Sequence, residues 1–318
     1  MTDTTDASDT DVRTAGPEAP ETAPSTGGDA EKPRSLGADA RRQMGKNPLF
    51  WVSAALITLF VLMAVWPSLF TNTDPTEAVL QESRQLPNAD AWFGRDIQGY
   101  DVYARTIYGA RASILVGVFT TLFATALGGA IGVIAAYSGG WVDSLVSRIT
   151  DIFFAIPFIL GAILLMSALA GSLTSYFGVI FKVVLALTVF GWASLARLMR
   201  SSVFQVLPND YVQAARALGA SPWRIVRSHI IPNAMGPMIV VATINLGAYI
   251  AAEATLSFLG IGLQPPVVSW GVMINDAIVG LRTTPHMLLF PSAFLSLTVL
   301  AFIMLGDVVR DAYDPKTR

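Results

Sequence analysis

Few of the 318 residues are equipped for covalent chemistry. There is no cysteine, so no thiol nucleophile, disulfide or thiolate metal site is available, and the two histidines, His229 and His286, lie 57 positions apart. Of the four lysines, Lys32, Lys46, Lys182 and Lys316, none is both preceded by a glycine-rich run and followed by Ser or Thr, so there is no phosphate-cradling loop. No catalytic residue, metal or bound cofactor is expected of this chain, and any ATP that drives it has to sit with its Mg on another subunit. The spacing that does suggest a task lies in Leu207 to Asn233, LPNDYVQAARALGASPWRIVRSHIIPN. Asn209 or Asp210 caps a short helix, Ala214, Ala215, Ala217 and Leu218 favour it, and Gly219 is placed to end it. After Ala220, Ser221 caps a second helix with Pro222 at its first position, and Pro232 stops that helix. The expected product is a two-helix elbow with small side chains on its first helix and Arg216, Arg224 and Arg227 around it. An ordinary basic loop is the plain alternative. A helix-turn-helix DNA reader is excluded, because the elbow is held at both ends and has no three-helix core, so no nucleic-acid partner is expected.

The elements that hold this elbow follow from composition. Hydrophobic residues make up 53% of the chain and charged residues 14%, against about 25% charged in soluble domains. Stretches 47–73, 112–142, 152–181, 183–196, 228–252 and 283–306 contain no Asp, Glu, Lys or Arg, and a bilayer span needs ~20 mostly apolar residues. Spans are expected near Leu49 to Phe70, Ala112 to Tyr137, Ile149 to Ala170, Val179 to Met199, Ala234 to Leu259 and Met287 to Val308. This is an all-α integral membrane protein with six transmembrane helices and the lipid bilayer as its surroundings. Residues 1–33 carry eight carboxylates and almost no large apolar side chain, which reads as a disordered acidic tail. The expected division is 1–48 for that tail and a basic juxtamembrane piece, 49–111 for the first span and an outer segment, 112–310 for the main helical domain, and 311–318 for a final tail. Leaving out Arg13 and Lys32, which lie too far from a span to count, thirteen Lys and Arg residues fall on the side of the elbow and both termini and six on the other, so the positive-inside rule places N- and C-termini in the cytoplasm.

Isolated polar residues within the spans are candidates for a route or for pairing. Glu253 lies about 19 residues into the fifth span, ~28 Å along at 1.5 Å per residue, and so near its outer end. With Asn245 it is a candidate to line a translocation pathway, with pairing to a neighbouring helix as the alternative. Asp151 is spaced to pair with Arg148, and Asp101 with Arg105, on single helix faces. Gly128 and Gly132 are expected to pack helices together, and Lys182 and Arg282 to snorkel to the outer interface.

The elbow also carries a resemblance. Gln213-Ala214-Ala215, three residues, Gly219, nine residues, then His229-Ile230-Ile231-Pro232 resembles the EAA loop of permease subunits of ABC importers, with Gln213 where that pattern has Glu and His229 where it has Ile. Gly94-Arg95-Asp96, Ile107-Tyr108-Gly109-Ala110-Arg111, Gly139-Gly140-Trp141-Val142-Asp143, Glu253-Ala254-Thr255-Leu256-Ser257-Phe258-Leu259-Gly260, Gln264-Pro265-Pro266 and Trp270-Gly271 extend the likeness to the peptide/nickel branch and its DppC/OppC-like subunits. The resemblance implies a type I ABC importer permease of MetI-like fold, residing in the cytoplasmic membrane. It implies that the first elbow helix is the coupling helix, with Asp210, Gln213, Ala214, Ala215, Arg216, Gly219, Ala220, Ser221, Pro222 and Pro232 coupling to an ATPase. The implied partners are a second, DppB/OppB-like permease, two ATP-binding subunits and an extracytoplasmic solute-binding protein. The implied substrates are dipeptides or oligopeptides, with nickel chelates and glutathione-like peptides as alternatives. A secondary transporter driven by an ion gradient is the competing class; it would call for repeated broken helices and several midplane ionisable groups.

Overall fold

A computed structural model describes residues 43–313. The acidic tail and the last five residues, about which the sequence also raises expectations, lie outside the described residues. Helix α1 is Pro48–Val65, α2 Val102–Ser138, α3 Gly140–Ala155, α4 Phe158–Ala168, α5 Tyr176–Val206, α6 Asp210–Ala217, α7 Pro222–Ile225, α8 Ile231–Phe258, α9 Trp270–Ala277 and α10 His286–Tyr313. Among the described residues the only β pairing is two isolated bridges, Ala78 with Tyr100 and Arg95 with Asp101. Five helical stretches, Pro48–Val65, Val102–Ser138, Tyr176–Val206, Pro222–Phe258 and His286–Tyr313, are long and apolar enough to cross a membrane, and α3 with α4 makes a sixth only as a pair bent by 87°.

The expected third span, Ile149 to Ala170, thus falls on two helices with a bend between them. Pro157 has no N–H to continue the helical ladder and pushes the residue before it into extended backbone, and Ile156 sits at φ −94° and ψ 120°. Two other boundaries differ from expectation for local reasons. Helix α2 begins ten residues early because the Asp101 carboxylate caps it, accepting from the Ala104 N–H at 2.7 Å. Pro232 does not stop the elbow's second helix: residues Val226–Ile230 form a π turn, and this wider turn leads straight into α8 with Pro232 in its first turn, where no N–H is missed. Helix α10 continues through Tyr313 into the expected terminal tail.

The expected same-helix ion pairs are replaced by pairs between elements. With Asp101 engaged as a cap, Arg105 reaches Asp96 at 2.7 Å and Asp276 at 3.8 Å. Asp151 binds Arg197 of α5 at 2.8 Å instead of Arg148, and Asp143 binds Arg200 at 2.6 Å, because α3 crosses the end of α5. Lys182 does not snorkel; it is buried, on the α5 face that also buries Val179 and Val183. Arg282 is exposed.

Close packing in the bundle depends on missing side chains. A Cβ added at Gly128 would stand 2.6 Å from the Trp192 carbonyl oxygen, and one at Gly132 would stand 2.8 Å from Met199 Cβ, so α2 lies directly against the backbone of α5. Helix α1 is held at the other end of α2: Phe60 meets Trp270 and Phe294 edge-on at 6.0 and 5.9 Å, and Arg111 Nε donates to the Ala64 carbonyl, one of the α1 carbonyls left without a helical partner. The segment between α1 and α2 is knit by Asp96, whose carboxylate accepts from the N–H groups of Gln98 and Tyr100 as well as from Arg105.

Substitution of these glycines separates close packing from mere helicity. Gly128→Val or Gly132→Val forces α2 off α5 and should cost several kcal/mol, about 3 or more, because neither neighbouring backbone can yield. Gly129→Ala meets only the flexible end of Met238 at 3.2 Å and should change stability by less than about 1 kcal/mol. Thermal unfolding in detergent, followed by size-exclusion fluorescence, distinguishes the two outcomes.

Candidate functional site

The elbow is constructed by local rules. Asn209 precedes α6 in extended backbone, its amide turned to Tyr211 Oη at 3.2 Å, and Asp210 occupies the first turn, where a carboxylate suits the helix dipole. At the other end Gly219 takes φ +78°; its N–H reaches the Arg216 carbonyl and the Ala220 N–H the Ala215 carbonyl, each at 3.0 Å. This is a Schellman ending, and the left-handed residue it needs costs any side chain about 1 kcal/mol or more. Ser221 Oγ then accepts from the Arg224 N–H at 3.4 Å and Pro222 opens α7. Gln213 donates from Nε2 to the Leu207 carbonyl at 2.8 Å, tying α6 back to the end of α5. A carboxylate at this position has no proton to give that carbonyl, so Gln213 is not a neutral copy of Glu here.

The inner face of the elbow is fixed and its outer face is free. Val212, Ile225, Val226 and Ile230 are buried with Met199 and Val203 of α5 and Met238 of α8. Facing outward are Ala214, Ala217, Leu218 at 88% exposure and Trp223 at 69%, with Arg216, Arg224 and Arg227 around them and Arg216 5.8 Å from the Tyr137 ring. Arginines around one large aliphatic and one aromatic side chain match the composition of a protein-binding surface. Of the site residues drawn from sequence, Asp210, Gln213, Ala214, Arg216, Gly219, Ser221 and Pro222 share this outer elbow; Ala215 and Ala220 turn partly inward, and Pro232 lies beyond the π turn, in the first turn of α8. Sequence reasoning misses Leu218 and Trp223 as contact residues. A tryptophan in a polar, charged stretch is the signal that could have found them.

The two candidate pathway residues part company. Glu253 is fully enclosed, as pairing rather than as lining: Ser113 Oγ donates to its carboxylate at 2.9 Å, Ser257 Oγ at 2.8 Å and Ser269 Oγ at 3.0 Å. The last two serines in turn accept the N–H groups of Leu263 and Val272. Glu253 thus joins α2, α8 and the 259–269 loop at the end of the bundle opposite the elbow. Asn245 is half-buried beside the bend between α3 and α4, at a cleft. Arg105, paired with Asp96, lines with Asp276 a cleft of about 540 Å³ that Ser257 of the cage also borders. Burial pushes the Asp276 carboxyl up, against the pull of Arg105.

Comparison with known proteins follows the same outline. The family model described as binding-protein-dependent transport system inner membrane component matches residues 128–318, and that for the N-terminal TM domain of oligopeptide transport permease C matches residues 35–88. The chain is 38% identical over 302 residues to the oligopeptide transport system permease protein OppC of Bacillus subtilis (strain 168), covering 94% of this chain and 97% of the relative. It is 41% identical to the dipeptide transport system permease protein DppC of the same organism, covering 89% and 87%. It is 34% identical to the glutathione transport system permease protein GsiD of Shigella sonnei (strain Ss046), covering 87% and 89%. Among solved structures, an inward-facing MetNI methionine ABC transporter aligns with 65% of this chain and 96% of its own at TM-score 0.54 and 22% identity, a likeness of fold.

The serine cage makes a graded prediction. Glu253→Leu strands three hydroxyls and should lower stability by about 3 kcal/mol, whereas Glu253→Gln keeps an acceptor for two of them and should cost about 1 kcal/mol or less. Melting of the purified variants in detergent reads the difference. Equal losses would mean that the cage is not what holds this end together.

Proposed function

The chain belongs to the binding-protein-dependent transport system inner membrane component family, and as the permease subunit of an ABC importer we propose that it carries dipeptides or oligopeptides into the cell, coupled through residues 207–233 to ATP hydrolysed on partner subunits. The observation that carries this reading is mechanical. The exposed tip at Leu218 and Trp223 is joined through a glycine-closed turn to one continuous helical stretch, Pro222–Phe258, whose ladder widens at the π turn Val226–Ile230 and lacks a donor at Pro237. At 1.5 Å per residue those 37 residues extend roughly 55 Å, and their far end is held in the Glu253 cage. A push at the elbow therefore has one continuous helix along which to reach the opposite end of the bundle.

The assembly is completed by four kinds of partner in this reading: a second, DppB/OppB-like permease, two ATP-binding subunits holding ATP and Mg, an extracytoplasmic binding protein that delivers the solute, and the bilayer. Closure of the ATPase pair on the elbow rocks the permeases between inward-open and outward-open states. The excess of Lys and Arg on the elbow side supports placing the elbow and both termini in the cytoplasm. Peptide as substrate is supported by the names of the relatives OppC and DppC. The small residues Ala214 and Ala217 let a partner approach the α6 backbone, and Leu218 supplies the apolar anchor.

Gly219→Asp tests the coupling role in the reconstituted importer. Asp adds bulk and negative charge to the exposed tip without touching the bundle, since no atom lies within 4 Å of its Cβ position. Peptide uptake should fall at least tenfold while the variant still assembles, and ATP hydrolysis should no longer respond to loaded binding protein. Uptake and stimulated hydrolysis both at wild-type levels would refute the assignment.

A further inference from the structure

Beside the bend between α3 and α4 lies a cleft of about 360 Å³, bordered by Phe153, Phe158 and Phe190, by Gly191 of α5, and by Asn245 and Tyr249 of α8. Gly191 is the thirteenth of the 21 residues of the expected span 179–199 and Asn245 the twelfth of the 26 of 234–259, so the cleft lies near the middle of two apolar spans. Two polar groups face it without a partner. Tyr249 is 6% exposed and its hydroxyl, turned to the space that Gly191 leaves open, makes no hydrogen bond among the described residues; neither does the Asn245 carboxamide. The two are four residues apart and thus on one face of α8. The chain breaks its helical ladder at the same place, and α4 starts after Pro157 with no side-chain cap.

An unpaired carboxamide, an unpaired hydroxyl and an uncapped helix start in hydrocarbon would each be costly. Lipid tails cannot satisfy them, so this face is turned to water, to substrate or to a protein partner rather than to lipid. Among the lining residues Asp, Glu, Lys and Arg are all absent. A carboxamide carries both a donor and an acceptor, as a peptide bond does, and can pair with one in both directions; the phenylalanine rings offer apolar surface of no particular charge. We infer that this mid-span cleft is a subsite for the substrate's peptide backbone, in which Asn245 pairs with a peptide group and Tyr249 Oη supplies a further hydrogen bond while side chains pass unread. The inference rests on the peptide-import reading above and adds where, and by what chemistry, the peptide is held on its way through.

The test uses the complete importer in proteoliposomes and two probes, a tripeptide of neutral side chains and its analogue with both internal peptide nitrogens methylated. Methylation removes the donors that Asn245 Oδ1 would accept. Asn245→Leu is expected to lower uptake of the parent about tenfold and of the methylated analogue less than twofold; the binding protein's own preference is common to both complexes and cancels in the comparison. Equal losses for the two probes, or no loss for either, overturn the subsite. If Asn245→Leu does not assemble, Tyr249→Phe removes one hydroxyl at nearly constant shape, and a threefold or larger loss for the parent is expected, with no loss overturning the hydroxyl's part. If the wild-type complex takes up neither probe, it is the peptide-import reading that falls.

Discussion

A polar group in hydrocarbon has to find its partner inside the protein or face water, and this structure is arranged around that requirement. Where the backbone ladder is continuous, the helices pack through glycines, as at Gly128 and Gly132 against α5. Where a carboxylate is unavoidable, at Glu253, three hydroxyls close around it, and two of these are themselves oriented by backbone N–H groups. Where the end of α1 leaves a carbonyl without a helical partner, Arg111 reaches across to it. The requirement is not met within the chain at the hydroxyls of Thr120, Thr125 and Thr188, nor at the bend of Ile156 and Pro157, where the unpaired groups of Asn245 and Tyr249 border a cleft.

The same requirement divides the chain into a continuous helical part and an exposed one. The stretch Pro222–Phe258 carries a π turn just ahead of Pro232, and this local widening of the ladder admits the proline without breaking the stretch. One end of it bears the elbow, closed by a glycine in the left-handed region and standing free of the bundle at Leu218 and Trp223. The other end is caged with α2 and the 259–269 loop. The mid-span cleft lies along the same helix between them. In the proposed reading, a displacement at the elbow would reach the cleft and the cage along this one helix.

Much of this is legible in the sequence, and what is not has physical causes. Charge-free stretches mark the spans, and the order Asn209, Gly219, Ser221, Pro222 gives the elbow its ends, because these are choices made within three or four residues. The bend escapes notice because Pro157 lies in an unbroken apolar run, where hydropathy is blind to direction. The ion partners of Asp151 and Arg105 are hidden because spacing along one helix cannot see a crossing helix: Arg197 and Asp96 come from elsewhere in the chain. Counting residues places Glu253 at the correct end, but its three serines come from α2, from α8 and from just before α9. Leu218 reads as a helix former; only its position beyond the end of α6 exposes it.

The central claim is that the elbow is the seat of the ATPase partner, and the absence of native cysteine makes it directly testable. Leu218→Cys carrying a benzophenone maleimide, in the assembled importer, places a photoreactive group on the exposed tip. The account predicts that illumination links this chain to an ATP-binding subunit and that the yield changes with ATP. Linkage to the extracytoplasmic binding protein instead, or modification of the introduced thiol by a membrane-impermeant reagent added from outside intact cells, would contradict it.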